Sequence, residues 1–565
     1  MTLRVALGQF NASVGDIAGN VKIMRRFYEQ AVKSNVDILV FPEMAVCGYP
    51  PEDLLLKNHF LEENRLAIEQ MAKDCPKKTV IVGFAEAGLP LRGDKGYFNS
   101  LAVLEKGQIK KIYRKCILPN YGVFDERRYF RPGTGSVIVN VNQMAVVLTI
   151  CEDIWHLEWM DKFLKEIRCK DIIINISASP FYVGKLDKRQ EVLRHCATYF
   201  DCAVAYCNLV GGQDELVFDG RSMFLDSTGA VICRAKAFDE DLLIADIDLA
   251  DTTLRSGASL RSTSGKRVMV KSAARQPMPE PMDAVAEVYG ALVLGTRDYV
   301  LKNGFGKVVI GLSGGIDSSL TAVVAVDALG AQNVLGVTMP SKFNSPDTIS
   351  DAEKVAKNLG IEFRTIPIAS VLNNFNDTLS IVEGWKDSGI AYENLQARIR
   401  GTILMSLSNR FSYMVLTTGN KSETAVGYST LYGDSAGGFA VIKDVPKTMV
   451  YDLARHVNKI NNKELIPQSV IDRVPSAELK EGQKDTDSLP EYDLLDRIIK
   501  GYIEDDKSPQ ELIKEGLPGD VVKRVVRMID INEYKRRQSP PGVKITPRAF
   551  GKDRRMPITN RYTSQ

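Results

Sequence analysis

The sequence has few of the residues from which metal centres are built. Only four of its 565 residues are histidines, which leaves little room for an imidazole-rich metal site. The nine cysteines are scattered without a paired metal-ligand spacing, so we expect reduced thiols and a cytoplasmic location. No stretch approaches the ~20 apolar residues of a membrane span. The first residues also lack the basic flank and apolar run of a signal peptide, so no membrane association is expected.

Neither sign of charge is in excess. The chain has 73 Lys plus Arg against 70 Asp plus Glu, a formal net charge of +3. This balance gives no electrostatic basis for a dedicated nucleic-acid binder, although it does not exclude a local basic patch. With 44% hydrophobic and 25% charged residues, collagen-like, coiled-coil and largely disordered chains are excluded. At ~100–200 residues per domain, the length predicts more than one folded unit.

Short β-rich runs alternate with amphipathic stretches in the first half. The predicted strands are residues 3–10, 37–41, 79–84, 145–151, 171–176 and 203–208. The predicted helices are residues 20–34, 59–73, 157–167 and 187–200. A hairpin is expected over residues 101–114, the pattern repeats at 224–234, and 242–248 adds a strand. Strands separated by helices predict an α/β layered domain.

The composition changes at residues 252–282, which are rich in Ser, Arg, Lys and Pro and lack a sustained apolar period. We predict a linker there, between a domain over residues 1–251 and a second domain over residues 283–565. The second half is expected to continue as follows: a helix from Asp283, strands at 307–312, 333–339, 362–368 and 413–417, and helices at 351–359 and 395–409. This alternation predicts a doubly wound, Rossmann-like parallel sheet. Two long polar segments, 427–438 and 476–491, are typical either of functional lids or of disordered loops.

Three reactive side chains in the first half, Glu43, Lys115 and Cys151, each follow a predicted strand. Sheets of α/β domains present catalytic groups at strand ends. A cysteine needs a partner to become a nucleophile, because its ordinary pKa of ~8.5 leaves little thiolate at neutral pH. A carboxylate can accept that proton, and a lysine can stabilise a thiolate or an oxyanion. Taken singly, each residue is better explained as inert packing or a solvated charge, so the prediction depends on the joint pattern.

The strings FPEM, YRKC and TICED, in this order, resemble the nitrilase (carbon–nitrogen hydrolase) superfamily over residues 2–250. The resemblance implies an α-β-β-α sandwich. It also implies that Glu43 is the general base, Lys115 the oxyanion-stabilising group and Cys151 the acyl-forming nucleophile. Glu126, in FDERRYF, resembles the second glutamate often found near this triad, although a salt bridge at a helix start explains it as well.

In the second half, the string VVIGLSGGIDSSL predicts a strand, a glycine turn and a helix. The glycines let the backbone approach an anion closely, and the helix offers free N–H groups and its positive dipole end to a phosphate. No lysine stands at the Walker A spacing. SGGIDS resembles the pyrophosphate-binding loop of ATP pyrophosphatases, with a simple helix cap as the alternative. The resemblance implies the ATP-binding residues Gly311, Leu312, Ser313, Gly314, Gly315, Ile316, Asp317 and Ser318.

Two further strings, LTTGNKSE and AYENLQARIR, resemble the NAD synthetase branch of the ATP pyrophosphatases. That resemblance implies an ATP contact by Thr418 and deamido-NAD contacts by Asn394, Arg398, Glu423 and Lys535. It also implies that Asp317 and Glu423 hold Mg²⁺, an ion that prefers hard oxygen ligands near phosphates. Residues 443–445 resemble a segment that closes over the substrate. The basic run at Lys535 is explained equally well as a solvated face.

From residue 2 to the C-terminus, the two halves together resemble the family of glutamine-dependent NAD synthetases. The resemblance implies that one site releases ammonia from glutamine, and that the other uses ATP to convert deamido-NAD to NAD, with AMP, pyrophosphate and glutamate as products. Tyr121, Ser179 and Lys185 are then expected to position glutamine, and the chain is expected to form a homo-oligomer. The alternatives are another ATP-pyrophosphatase amidotransferase acting on a different carboxylate or carbonyl, and a catalytically degenerate binding scaffold.

Overall fold

The structure is a computed structural model, and it describes residues 2–88, 96–164, 170–251, 266–272 and 278–562. The chain divides into two compact units. The first unit contains Met1–Gln213 and Val217–Pro281, and the second contains Asp214–Leu216 and Met282–Gln565. Among the described residues, every helix is too short or too polar to span a membrane.

The first unit is built from strands and helices that alternate along the chain. Its strands are β1 (Thr2–Gln9), β2 (Ile38–Val40), β3 (Thr79–Ala87), β4 (Tyr97–Glu105), β5 (Gln108–Arg114), β6 (Val137–Val141), β7 (Met144–Ile150), β8 (Ile172–Ser177), β9 (Ala203–Asn208), β10 (Val210–Gln213), β11 (Leu216–Asp219), β12 (Met223–Leu225), β13 (Val231–Arg234), β14 (Asp241–Asp251) and β15 (Lys266–Ser272). Its helices are α1 (Ile17–Lys33), α2 (Asn58–Asp74), α3 (Leu157–Leu164) and α4 (Lys185–Phe200).

Two sheets of this unit face each other, one in the order β15-β14-β1-β2-β3-β4-β5 and one in the order β13-β12-β9-β8-β7-β6. Their inner faces share one core, in which Val5 and Leu101 of the first sheet join Val146 and Ile174 of the second. The outer faces are covered by helices: α1 and α2 pack on the first sheet, and α3 and α4 on the second. Strands buried on both faces are almost wholly apolar, which is why they were recognisable. The predicted α-β-β-α sandwich is confirmed.

Most strand predictions in this half are confirmed to within a few residues, including the hairpin of β4 and β5. The predicted linker, residues 252–282, contains β15, which pairs with β14 and so adds a strand to the first sheet. Val268 and Val270 are buried while Met269 between them is exposed, a two-residue period that basic neighbours masked. The other linker residues up to 277, and the predicted end of α3 at residues 165–167, lie outside the described residues.

The second unit combines a five-stranded sheet with a helical C-terminal part. Its strands are β16 (Val308–Gly311), β17 (Val334–Thr338), β18 (Glu362–Thr365), β19 (Met414–Thr417) and β20 (Phe439–Ala440). Its helices are α5 (Ala284–Lys302), α6 (Ile316–Leu329), α7 (Pro346–Leu359), α8 (Ala369–Leu379), α9 (Gly389–Phe411), α10 (Lys421–Val426), α11 (Lys447–Ile460), α12 (Gln468–Asp472), α13 (Tyr492–Ile499), α14 (Pro509–Lys514), α15 (Gly519–Ile531) and α16 (Glu533–Arg536).

All strand pairs of this sheet are parallel, in the order β18-β17-β16-β19-β20. Helices α8 and α9 pack on one face through Val309 and Val415, and Val308 and Ile310 alternate with Val309 and face the other side, where α6 packs. The predicted doubly wound sheet is confirmed. The order of connection reverses between β16 and β19, and ligands of such sheets bind at the carboxyl ends of the strands at this point.

Candidate active sites

Glu43, Lys115 and Glu126 form a buried charge cluster in the first unit. The Lys115 Nζ lies 2.8 Å from Glu43 Oε1 and 2.9 Å from Glu126 Oε1. Burial opposes the charge of this ammonium, but the carboxylates of Glu126 and Glu43 outweigh it and raise the pKa of Lys115. The lysine therefore stays charged between its partners.

The two glutamates of the cluster are held in fixed orientations. Glu43 Oε2 accepts a hydrogen bond of 2.8 Å from the Ala178 N–H, and Oε1 accepts one of 2.7 Å from Asn99 Nδ2. Glu126 Oε1 accepts one of 2.9 Å from the Tyr49 hydroxyl. Among the described residues, Glu126 Oε2 has no hydrogen-bond partner. Burial, and then the charge of Glu43, raises the pKa of Glu126, with Lys115 opposing.

Cys151 follows β7 directly and opens a 3₁₀ turn over Cys151–Trp155. Its φ of 44° lies in the left-handed region, so the backbone turns sharply where the strand ends. Burial and the charge of Glu43 raise the pKa of the Cys151 thiol, while Lys115 opposes the rise. The resting thiol is therefore protonated. It needs a base at the moment of attack, which a carboxylate beside it can supply.

Two of the residues predicted to hold glutamine lie next to this elbow. The Tyr121 hydroxyl is 3.0 Å from Oε1 of Glu152, the residue after Cys151. The Lys185 ammonium lies 4.4 Å from the ring centroid of Trp155. Burial, and then the positive charge of a neighbouring arginine, lowers the pKa of Lys185 to about 8, while the charges of Cys151 and Glu152 oppose. The buried Glu152 carboxylate and the Lys185 ammonium therefore both lie close to the elbow.

Ser179, the third residue of this set, is fixed by a buried ion pair. It directly follows Ala178, whose N–H binds Glu43. Arg189 donates to Ser179 Oγ at 3.4 Å and to both carboxylate oxygens of Asp219 at 3.0 and 3.2 Å. The structure thus brings Ser179 to the same site as the charge cluster.

In the second unit, the predicted phosphate loop lies in the turn between β16 and α6. Ser313 Oγ accepts from the Gly315 N–H at 3.2 Å, and Ser318 Oγ donates to the Gly315 carbonyl at 3.0 Å. Gly315 is the N-cap of α6 and has no side chain with which to cap it, so the first-turn N–H groups are available to bind an anion. Gly311 ends β16, Leu312 is buried in the turn, and Ile316 and Asp317 begin α6.

Asp317 and Glu423, the predicted metal ligands, are bridged by an ammonium that the sequence had not singled out. Lys447 Nζ pairs with Asp317 Oδ2 and lies 3.9 Å from Glu423 Oε1. Asn420 donates to Asp317 Oδ1 at 3.1 Å and also caps α10, which carries Glu423. Thr418 lies half-buried between β19 and this cap. Burial, and then the charge of Asp317, raises the pKa of Glu423 to about 8.

The predicted dinucleotide contacts converge on residues 427–438, the segment that follows α10. Asn394 Oδ1 accepts from the Thr430 hydroxyl at 2.7 Å, and Arg398 donates to a backbone carbonyl of the segment at 3.2 Å. Lys535 Nζ donates to two carbonyls of the same segment at 2.7 and 2.9 Å. These three side chains therefore surround one loop beside Glu423.

The comparisons with known proteins match both halves. Residues 4–255 match the carbon–nitrogen hydrolase family and residues 288–539 the NAD synthase family. A glutamine-dependent NAD(+) synthetase of Thermotoga maritima is 47% identical over 99% of this chain and 99% of its own length. The glutamine-dependent NAD(+) synthetase of Aquifex aeolicus is 47% identical over 99% of this chain and 100% of its own length. The chain belongs to the glutamine-dependent NAD(+) synthetases. It is therefore an enzyme of the ligase class.

Solved structures agree with this membership. The glutamine-dependent NAD(+) synthetase of Acinetobacter baumannii, in complex with ADP, matches with a TM-score of 0.76 at 39% identity, covering 100% of each chain. A glutamine-dependent NAD(+) synthetase from Cytophaga hutchinsonii gives 0.82 at 24% identity over 99% of this chain and 98% of its own, which supports the fold alone.

Some residues of the two candidate sites have no local sequence signal. Lys447 reaches Asp317 from 130 positions away, and Asn99 lies near the start of β4, between the apolar Phe98 and the small Ser100. Residues 443–445, resembling a closing segment, are buried: Lys443 donates to the Pro540 carbonyl at 2.7 Å, and Asp444 lies 3.0 Å from Lys421. Their charges are engaged within the unit.

Gly314→Ala is expected to weaken ATP binding. Gly314 has a φ of 84°, and a Cβ there would lie 2.0 Å from the Thr348 carbonyl oxygen. Strain of this kind costs ~1–3 kcal/mol, and relieving it displaces the loop. We expect the KM for ATP to rise about tenfold or more, measured with ammonium as nitrogen source. Gly306→Ala is the matched control, because a Cβ there meets open space; equal KM values in the two variants would contradict the loop assignment.

Proposed function

We propose that this enzyme divides glutamine-dependent NAD synthesis between its units. Residues 1–251 would release ammonia from glutamine, residues 283–565 would amidate deamido-NAD, and residues 252–282 would join them. The observation that carries the first assignment is the buried Glu43–Lys115 pair beside a cysteine in a left-handed elbow. The second assignment is supported by a phosphate loop at the switch point of a parallel sheet.

In the glutaminase step, Cys151 Sγ attacks the side-chain amide carbon of glutamine. The thiol proton passes to Glu43, and the ammonium of Lys115 stabilises the negative charge that develops on the amide oxygen. Collapse of the intermediate breaks the C–N bond, and the nitrogen leaves as ammonia with the proton returned by Glu43. Water, deprotonated by Glu43, then hydrolyses the thioester and releases glutamate. The Ala178 N–H and Asn99 keep the Glu43 carboxylate oriented throughout.

Glutamine is recognised by charges of opposite sign at the rim of this site. Its α-carboxylate is proposed to pair with Lys185, and its α-ammonium with Glu152, whose carboxylate Tyr121 holds. Ser179 contributes a hydroxyl fixed by Arg189. A site with one fixed cation and one fixed anion favours a zwitterionic amino acid over a simple amide.

Lys185→Met is expected to raise the KM for glutamine about 10- to 100-fold with little change in kcat, because it removes one charge-assisted contact. Since the pKa of Lys185 is lowered to about 8, its ammonium is present below that pH and lost above it. The difference in KM between the unaltered chain and the variant should therefore shrink above pH 8. Lys188→Met, on an exposed position of the same helix, is the control. A KM unchanged by Lys185→Met would contradict the assignment.

In the synthetase step, the nicotinate carboxylate of deamido-NAD attacks the α-phosphorus of ATP, and pyrophosphate leaves. Ammonia then attacks the acyl carbon of the adenylate, AMP leaves, and the amide of NAD is formed. The phosphate loop and Thr418 are proposed to hold ATP, and Asn394, Glu423 and Lys535 the dinucleotide. The loop's N–H groups and the α6 dipole favour the leaving pyrophosphate.

Asp317 and Glu423 fit a Mg²⁺ ion, because they are hard carboxylate ligands that the Lys447 ammonium brings to one point. When bound, Mg²⁺ would offset the charge of the polyphosphate. Asn420 orients both carboxylates, one by donating to it and the other through the cap of α10.

A side-by-side assay with glutamine and with ammonium tests this proposal. Deamido-NAD and ATP should give NAD and AMP with either nitrogen source, and glutamate only with glutamine. If deamido-NAD were not amidated with either nitrogen source, another carboxylate or carbonyl substrate would be favoured. If the chain turned over neither glutamine nor ATP, a binding scaffold would be favoured. A homo-oligomer and a cytoplasmic location, where ATP is abundant and the eight described cysteines stay free thiols, remain predictions. Light scattering on the purified chain measures the first.

A further inference from the structure

Asp153 is a fully buried carboxylate two residues beyond Cys151, and none of the roles above uses it. It accepts four hydrogen bonds. The donors are the Tyr113 hydroxyl at 2.7 Å and the N–H groups of Cys116 at 3.0 Å, Ile117 at 2.8 Å and Ile150 at 3.0 Å. A carboxylate that binds so many donors from separate chain segments fixes those segments relative to one another.

The donors belong to the two segments that carry the reactive side chains. Oδ1 binds the N–H groups of Cys116 and Ile117, which directly follow Lys115. Oδ2 binds the N–H of Ile150, which directly precedes Cys151. One carboxylate thus joins the segment that carries the ammonium to the segment that carries the thiol.

The bond to Ile150 also caps the turn that holds the nucleophile. Asp153 is the third residue of the 3₁₀ turn, and its side chain reaches back to the N–H before the turn, as in a capping box. Because Cys151 has a positive φ, its backbone needs such outside support to keep that conformation. Burial raises the pKa of Asp153 to about 6, with the hydrogen bonds opposing, so the carboxylate is ionised at neutral pH.

We propose that Asp153 is a positioning residue of the glutaminase half, which sets the place of the Cys151 thiol relative to the Lys115 ammonium. The inference rests on the proposed roles of these two residues. Asp153 itself touches neither side chain's reacting atom; it acts through the backbone on both sides.

Asp153→Asn tests the proposal with little change of volume. Its amide oxygen can keep the two bonds of the Lys115 side, and its NH₂ group can donate to the Tyr113 oxygen. The Ile150 N–H would then face a second donor, so the elbow loses its anchor. We expect the glutaminase kcat to fall about 10²-fold, the order that a misplacement near 1 Å produces, with the KM for glutamine within about threefold of its normal value.

Two readouts separate positioning from general damage. Ammonium-dependent NAD formation should be unchanged, and the pH profile of Cys151 alkylation by iodoacetamide, followed on its peptide by mass spectrometry, should shift. Asp171→Asn is the matched control: this carboxylate binds the Ala145 N–H at 2.7 Å near the start of the same strand, β7. It should leave both readouts unaltered. A kcat and alkylation profile of Asp153→Asn equal to those of Asp171→Asn would overturn the proposal.

Should Asp153→Asn fail to fold, Tyr113→Phe gives the second test. It removes one of the bonds to Asp153 and leaves the backbone bonds, so we expect about a tenfold lower kcat and a smaller shift of the alkylation profile; an unchanged kcat would overturn the proposal. Cys151→Ala distinguishes the underlying assignment. If that variant still used glutamine, the proposed nucleophile would be wrong, whereas its inactivity beside a fully active Asp153→Asn would refute only the positioning role.

Discussion

Replacing Cys151 by alanine is expected to lower glutamine-dependent NAD formation by on the order of 10⁴-fold or more, as removal of a covalent nucleophile does. Formation of NAD from ammonium should be unchanged. The substitution removes one buried sulfur from the elbow after β7 and leaves the phosphate loop after β16 as it is. Both rates are measured on the same preparation, with ammonium-free glutamine in one arm and an ammonium salt in the other.

Cys196→Ala is the matched control for this prediction. Cys196 is likewise fully buried, but it lies in α4 among Met160, Leu193 and Phe200. Its loss costs packing and should leave the ratio of the two rates unchanged. If Cys151→Ala still made NAD from glutamine at a normal rate without free ammonium, the proposed glutaminase centre would be wrong.

The sequence predicted which side chains meet in the first unit, but not how. Glu43, Lys115 and Cys151 could be found because each lies within three residues of the end of a strand, and the strings around them together resemble one family. The role of Glu126 stayed open, because a helix start and a buried ion pair carry the same local pattern. Only the fold shows that Glu126 is buried and 2.9 Å from Lys115. The positive φ of Cys151 had no sequence signal either, since such backbone is found mostly at glycine.

The fold itself was largely predictable where strands are buried on both faces. Segments such as β7 and β8 are almost continuously apolar, so the sequence predicts both that they are strands and where they begin and end. Edge strands were harder: β6 and β15 lie at the ends of their sheets and mix polar with apolar residues. In β15 the basic residues Lys266, Arg267 and Lys271, which are typical of edge strands, gave the segment the composition of a linker.

In the second unit, too, one part of the candidate site could be predicted from the sequence and another part could not. The predicted phosphate loop was recognisable because its glycines and hydroxyl residues are adjacent in sequence. The glycines allow a close backbone approach to an anion, and the hydroxyls can form hydrogen bonds. The contact of Lys447 with Asp317 joins α11 to α6, and nothing near either residue encodes it. Long-range pairs of this kind depend on how helices pack on the sheet, which single-sequence patterns do not specify.

Asp317→Asn is expected to reduce NAD formation from either nitrogen source by about 10²- to 10³-fold, the effect of removing one preorganised electrostatic contact. The amide keeps the shape of the side chain and can still accept from Asn420. It loses the negative charge that pairs with Lys447 and that is proposed to bind Mg²⁺. Ammonium-dependent NAD formation and the binding of Mg²⁺-free ATP, measured by calorimetry, separate lost chemistry from lost nucleotide binding. Binding of the free nucleotide should change little, because the loop's N–H groups remain.

Asp317→Asn and Cys151→Ala are expected to abolish different activities, so the two variants together separate the glutaminase from the synthetase. Asp317→Asn should still hydrolyse glutamine to glutamate, which Cys151→Ala should not, and only Cys151→Ala should be rescued by ammonium. Asp327→Asn, at an exposed position of the same helix α6 where the carboxylate pairs with Tyr289, controls for helix stability. Rapid NAD formation from ammonium by Asp317→Asn would show that the carboxylate at the phosphate loop is dispensable. The synthetase centre would then have to be sought elsewhere on the sheet.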